Sequence, residues 1–220
     1  MSITTNLQHI RASVPQSVRL VCVSKFQPNT AILEAYQAGE RLFGESRVQE
    51  LVAKHETLPQ DICWHFIGHL QTNKVKYIAP FVSLVHAVDS YKLLVEIDRE
   101  AQKCGRIIDI LLQVHIAGES TKFGFFPAEL MDFLLQEQWA DLQNIRIRGL
   151  MGMATFTDDE AQVRNEFHLL KTVFDKVKRT FFAACNSFDT LSMGMSDDYQ
   201  IAMNEGSTML RIGTGIFGER

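Results

Sequence analysis

The chain has 220 residues, 46% of them hydrophobic, with a formal net charge of −4 and a pI near 6.0. That length encloses a sizeable core in one or two domains, the mild acidity speaks against a nucleic-acid or anionic-membrane partner, and no run approaches the roughly 20 apolar residues of a membrane span. Cys22, Cys63, Cys104 and Cys185 stand far apart with no C-x-x-C pair, which fits unpaired thiols in a reducing cytosol rather than a disulfide scaffold.

The first thirteen or so residues, MSITTNLQHIRAS, read as a helix. They lack the basic stretch and apolar run of a secretory leader, so cytoplasmic residence is expected. RLVCVS (19–24) then predicts a first strand and residues 29–38 a helix, followed by RLFG (41–44) and a helix over 46–55. The alternation continues with CWHFIG (63–68) and 72–78, VSLVHAV (82–88) and 90–104, and IDILLQVHI (108–116) and 127–138. IRIRGLM (145–151) and 158–180, TLSMG (190–194) and 197–204, and a last strand TMLRIG (208–213) complete it. These runs are short and almost continuously apolar, as strands buried on both faces are. Asn29, Ser46, Ser90 and Asp158 offer side-chain oxygens to open helix N–H groups, and Pro127 suits a first helical turn. No linker or low-complexity tract interrupts the pattern. Eight βα units in series predict one α/β domain over residues 1–220, a closed (β/α)8 TIM barrel with an extra N-terminal helix. An open doubly wound sheet is the alternative.

In such a barrel the site lies at the C-terminal ends of the strands, and phosphate is often held by the loops after strands seven and eight. Those loops read Ser192-Met-Gly194-Met-Ser196-Asp197 and Arg211-Ile-Gly213-Thr214-Gly215. The second carries a literal G-x-G-x-x-G, but only Glu219 and Arg220 follow it. A dinucleotide fingerprint needs a following helix and an acidic residue about 20 positions on, so a single phosphate is the better reading. Glycine here permits positive φ or close approach of backbone N–H groups to an anion. At the end of the first strand, Ser24-Lys25-Phe26 places an amine where the strand opens into the site. A lysine facing a phosphate cradle is the minimal kit for pyridoxal 5′-phosphate, because a desolvated amine attacks carbonyls. A barrel enzyme acting on another phosphorylated substrate is a weaker reading. Glu45, Ser46, His65, Gly68, His69, Gln71 and Asn73 are further site candidates. His65 and His69 are better suited to polar lining than to a metal, with no H-E-x-x-H or cysteine beside them. Met151, Met153, Met193 and Met195 read as core or apolar walls, and Lys122 as a solvated loop lysine.

VCVSKFQP, FGESRVQE, WHFIGHLQTNK, VHAVDS, STKFGF, RGLMGMAT, LSMGMSDD and STMLRIGTGIFG together resemble the pyridoxal phosphate homeostasis protein family, also called the YggS family, over essentially the whole chain. The resemblance implies the barrel that also forms the N-terminal domain of alanine racemase. It implies that Lys25 carries the cofactor as an internal aldimine and that Ser196, Gly213 and Thr214 bind its phosphate. It further implies that Arg211 points at the pyridine nitrogen, with Asn73 and His65 nearby. The family often reads FGEN where this chain has Ser46. An arginine stays charged and only donates, so the ring nitrogen would remain unprotonated and carbanion chemistry would be discouraged. Racemisation needs a base on each face of the substrate. By resemblance, racemases take the second from another domain, which this sequence does not show, leaving His65 and Tyr199 as candidates. The expectation is a monomeric, non-enzymatic protein that balances free pyridoxal phosphate, with pyridoxal-phosphate-dependent apoenzymes as transient recipients. A small amino-acid racemase is the rival.

Overall fold

The computed structural model describes residues 2–118 and 123–219. Each of the eight apolar runs is a strand: β1 (Arg19–Val23), β2 (Leu42–Glu45), β3 (Cys63–Phe66), β4 (Leu84–Val88), β5 (Ile108–Gln113), β6 (Ile145–Met151), β7 (Thr190–Ser192) and β8 (Met209–Ile212). All pair in parallel in sequence order, and β8 closes on β1 with Leu20 opposite Leu210. The closed barrel is therefore observed, and the open sheet is not.

The helices fill the intervals: α1 (Ile3–Ser13), α2 (Asn29–Gln37), α3 (Val48–Thr57), α4 (Val75–Ile78), α5 (Tyr91–Lys103), α6 (Pro127–Leu135), α7 (Glu160–Phe181), α8 (Tyr199–Asn204) and α9 (Thr214–Phe217). Along β1, Leu20 and Cys22 join the layer beneath the helices, while Val21 joins Leu84, Leu111, Met151 and Met209 inside the barrel. Side chains alternate faces along a strand, and both faces here are covered, hence the unbroken apolar runs. In α7, Val163, Phe167, Leu170, Phe174 and Val177 are buried, a spacing of three and four residues that makes one apolar stripe.

Gly149 in β6 has φ 153°, and a Cβ there would lie 1.8 Å from the Thr190 carbonyl oxygen. Only glycine lets β6 run this close to β7.

Some predicted details move. Ser90 caps α5, its Oγ accepting from the Leu93 N–H, and Pro127 opens α6. Ser46 does not cap α3, which begins after Arg47 without a side-chain cap. Asn29 lies inside the first turn of α2, and the cap of α7 is Asp159, one residue later than Asp158. The predicted helix over 72–78 splits into a 3-10 turn (Thr72–Lys74) and α4. Predicted strand five ends early, at Gln113. The G-x-G-x-x-G segment, read as a phosphate-binding loop, contains α9. Helix α1 packs beside it, and the Asn6 side-chain amide donates to the Ile216 carbonyl at 2.9 Å.

Candidate functional site at the barrel mouth

A cavity of about 660 Å³ opens among the loops at the C-terminal ends of the strands. Five of the seven residues expected at the cofactor line it together: Lys25, Ser196, Arg211, Gly213 and Thr214. The volume is ordinary for a small-molecule site. At one wall the backbone N–H groups of Gly213 and Gly215 converge on Ser196 Oγ, at 3.3 and 3.2 Å. Gly213 keeps a negative φ of −114°, and Gly215 is not among the residues with positive φ. Their contribution is therefore a pair of backbone N–H groups, both donating to Ser196 Oγ, rather than left-handed backbone. Gly194, on the loop after β7, does adopt positive φ (97°). A Cβ there would fall 2.6 Å from Ala202 Cβ and 2.8 Å from Leu210 Cδ2, so glycine lets this loop lie against α8 and β8, next to Ser196.

Arg211 projects from β8 and is almost wholly buried. Its guanidinium donates to Ser192 Oγ at 2.6 Å and to the Gly152 carbonyl at 3.0 Å. Burial draws its pKa down to about 10, partly offset by Asp198, which leaves it cationic at neutral pH. Ser192 Oγ also lies 3.2 Å from His86 Nδ1, and His86 Nε2 lies 2.9 Å from His65 Nδ1. Burial drives His65 down to about 3. His86 falls well below the usual histidine range, first through burial and then through its neighbours His65 and Arg211. Both rings are thus neutral and form a buried polar string behind the arginine. His86 is not among the residues that the sequence singles out, because a histidine inside VHAV looks like an ordinary strand residue, and Ser192, expected to open the loop after strand seven, ends β7 and faces Arg211 and His86 instead.

Lys25 sits in a turn closed by the Gln27 N–H donating to the Ser24 carbonyl at 3.0 Å. The third residue of this turn, Phe26, has φ 65°. Glycine is usual there, and a side chain in the left-handed region costs roughly 1–2 kcal/mol. Behind the turn, Glu45 is fully buried and accepts from Ser24 Oγ at 2.6 Å and from Lys54 Nζ at 2.8 Å. Burial raises the Glu45 carboxyl, while Lys54 and Ser24 oppose the rise.

At the rim, His69 Nδ1 lies 3.2 Å from Asp89, and its ring stacks on Phe123 with centroids 4.2 Å apart. Glu166 of α7 ties two rim loops together. It accepts from the Gly118 N–H, from both the N–H and Oγ1 of Thr155, and from Gln162 Nε2. Burial pushes its carboxyl upward, but these hydrogen bonds prevail and hold it low.

The remaining candidates separate. Ser46, Gly68, His69, Met153 and Met195 reach the cavity, and Met151 and Met193 are core. His65 lies in the barrel interior as described. Asn73 and Gln71 line a neighbouring depression with His69. Tyr199 turns its hydroxyl to Ser13 Oγ at 3.2 Å, away from the cavity lining. Lys122 falls outside the described residues.

A family model for the alanine racemase N-terminal domain matches residues 1–220. A pyridoxal phosphate homeostasis protein of Aquifex aeolicus is 41% identical over 203 residues, covering 92% of this chain and 87% of its relative. One from Vibrio alginolyticus is also 41% identical, over 100% of this chain and 98% of its own length. The structure of PipY from Synechococcus elongatus with PLP bound superposes with a TM-score of 0.88 at 38% identity, over 99% of this chain and 100% of PipY. Alanine racemase of Clostridium difficile shares the fold at 12% identity, with a TM-score of 0.79 over 57% of that enzyme. The chain belongs to the alanine racemase N-terminal domain family and, within it, to the pyridoxal phosphate homeostasis proteins.

Proposed function

We propose that the protein binds pyridoxal 5′-phosphate in the barrel-mouth cavity, holds it covalently through Lys25, and balances the free level of the cofactor in the cytosol without turning over a substrate. One observation carries this reading: the Lys25 amine shares the walls of one cavity with Ser196, Gly213 and Thr214, where Ser196 Oγ gathers the N–H groups of Gly213 and Gly215. The cofactor supplies an aldehyde that bonds reversibly to amines and a ring that draws electrons from what is bonded to it.

The residues fit that group. The Ser196 hydroxyl, held by the Gly213 and Gly215 N–H groups, is a donor suited to phosphate oxygens, as those N–H groups are once Ser196 turns to the ligand, and Thr214 adds a further hydroxyl on the same lining. Arg211 offers donors alone, so a ring nitrogen facing it is kept as an acceptor. Its bonds to Ser192 and Gly152 hold that guanidinium in place, with no carboxylate hydrogen-bonded to it among the described residues. The PipY structure with PLP and the names of the relatives point the same way. Of the two donors considered for the opposite face, His65 is buried away from the cavity lining and Tyr199 faces α1, which favours holding over racemisation. A hold of this kind suits a monomer that passes the cofactor to apoenzymes.

Titration with pyridoxal phosphate, followed by visible absorption before and after borohydride, tests the reading. The expected result is a saturable band at one equivalent, bleached by borohydride, with no deuterium incorporation at Cα across a panel of amino acids. Sustained exchange with net racemisation would establish the enzyme instead.

A further inference from the structure

We infer that Glu50 and Lys54 are positioning residues for Lys25, fixing from α3 the strained turn that presents the amine to the cavity. The inference rests on the reading of Lys25 as the cofactor's anchor.

The backbone is gripped on both sides of the lysine. On one side, Lys54 Nζ donates to the Ser24 carbonyl at 2.8 Å. On the other, the Phe26 N–H donates to Glu50 Oε1 at 2.5 Å. The two grips are joined, because Lys54 Nζ also donates to that same Glu50 oxygen at 2.7 Å. Lys54 further bonds Glu45, which takes the Ser24 hydroxyl. A third contact comes from Arg47, the residue just before α3, whose guanidinium lies over the Phe26 ring, 4.5 Å from its centroid. Glu50 and Lys54 are four residues apart and share one face of α3, with Arg47 immediately before the helix.

The plainer alternative is an ordinary i,i+4 ion pair on a helix surface. The burial argues against it. Lys54 is only 5% exposed, and a lysine is buried at such a position only when its protons are used. An ammonium has three N–H donors, and here they meet three acceptors: Ser24 O, Glu45 Oε1 and Glu50 Oε1. All three lead to the turn, since Ser24 is its first residue, Glu50 accepts the Phe26 N–H and Glu45 the Ser24 hydroxyl, and the turn contains a non-glycine residue at φ 65°. Backbone outliers of this kind persist where the surroundings over-determine them, and they concentrate at functional sites. The carboxylate on the Phe26 N–H and the ammonium on the Ser24 carbonyl are what over-determine this one. The orientation of Lys25 is thereby set in advance, which speeds bond formation rather than strengthening the hold on the phosphate.

The rate of the covalent step and the affinity of the cradle can be read separately. Rapid mixing with pyridoxal phosphate gives the rate at which the borohydride-reducible bond to Lys25 forms. Pyridoxine 5′-phosphate keeps the ring and phosphate but lacks the aldehyde, so its dissociation constant reports the cradle alone. Glu50→Ala should form the bond at least tenfold more slowly and bind pyridoxine 5′-phosphate within twofold of the unaltered protein. Glu50→Gln retains an oxygen for the Phe26 N–H and should recover most of the rate. Lys54→Met, which fills similar volume, should be slow in the same selective way and serves if Glu50→Ala does not fold. An unchanged rate in Glu50→Ala, a proportional loss of rate and pyridoxine 5′-phosphate affinity, or a Glu50→Gln as slow as Glu50→Ala would each overturn the inference. If the unaltered protein forms no bond at Lys25, the anchor reading fails first, and that outcome is distinct because it needs no variant.

Discussion

Ser196 Oγ accepts from two backbone N–H groups, and under the proposed reading its own hydroxyl proton is donated to the phosphate. Ser196→Ala removes one donor from a charged acceptor, worth about 1 kcal/mol or more. Retention of pyridoxal phosphate should fall roughly fivefold, measured by dialysis against a competing amine, and equal retention would count against the cradle. Asn73 lies in the neighbouring depression, so Asn73→Ala should change retention by less than about twofold, although the family resemblance had placed it beside the cofactor. The residues legible from sequence were those whose meaning is local. Lys25 ends an apolar strand, and Ser196 and Gly213 punctuate the last two loops. Glu45, Glu50 and Lys54 were not legible as a cluster, since in FGESRVQELVAK they look like charges on an amphipathic helix. Their significance comes from Ser24 and Phe26, some twenty to thirty residues earlier in the chain.

Among the elements, the strands were the easiest to read because both faces are buried and the apolar runs are continuous. Helix ends were harder. The chain offers several oxygens near each start, and only the folded loop decides whether Asp158 or Asp159 makes the cap. Helix α9 escaped notice because a Gly-rich segment has little intrinsic helix preference, and packing against α1 compensates. Ser90→Ala should remove the α5 cap, lower stability by ~1 kcal/mol and leave cofactor affinity unchanged. A melting temperature lowered by about 2–4 °C is the expected reading for a domain of this size, and a loss of binding would show that α5 does more than support. Gly149→Ala belongs to another class. Its Cβ would overlap the Thr190 carbonyl, so β6 and β7 must part at a cost of at least ~3 kcal/mol. Denaturant unfolding that shows a loss below 1 kcal/mol would mean the two strands are less tightly apposed than described.

At the scale of the whole molecule, the barrel interior keeps His65 and His86 neutral. Both have folded pKa values below the ordinary 6.5, so above that pH neither folded nor unfolded chain is protonated there. As pH falls from 6.5 toward 3, the unfolded chain takes up protons that the folded chain refuses, and stability declines. The limiting slope is about 1.4 kcal/mol per pH unit for each ring. Urea midpoints between pH 7 and 5 should therefore drop with acidification. His65→Gln, which keeps a polar group beside His86, should flatten that drop, and an unaltered slope would show that these rings are not buried neutral in solution.

The barrel, the chain's family and the cavity all converge on Lys25, and the most direct measurement is peptide mapping by mass spectrometry after the protein is loaded with pyridoxal phosphate and reduced with borohydride. One reduced adduct on the peptide containing Lys25, absent from the same peptide in Lys25→Ala, is the expected result. An adduct spread across surface lysines, or one that persists at full yield in Lys25→Ala, would contradict it.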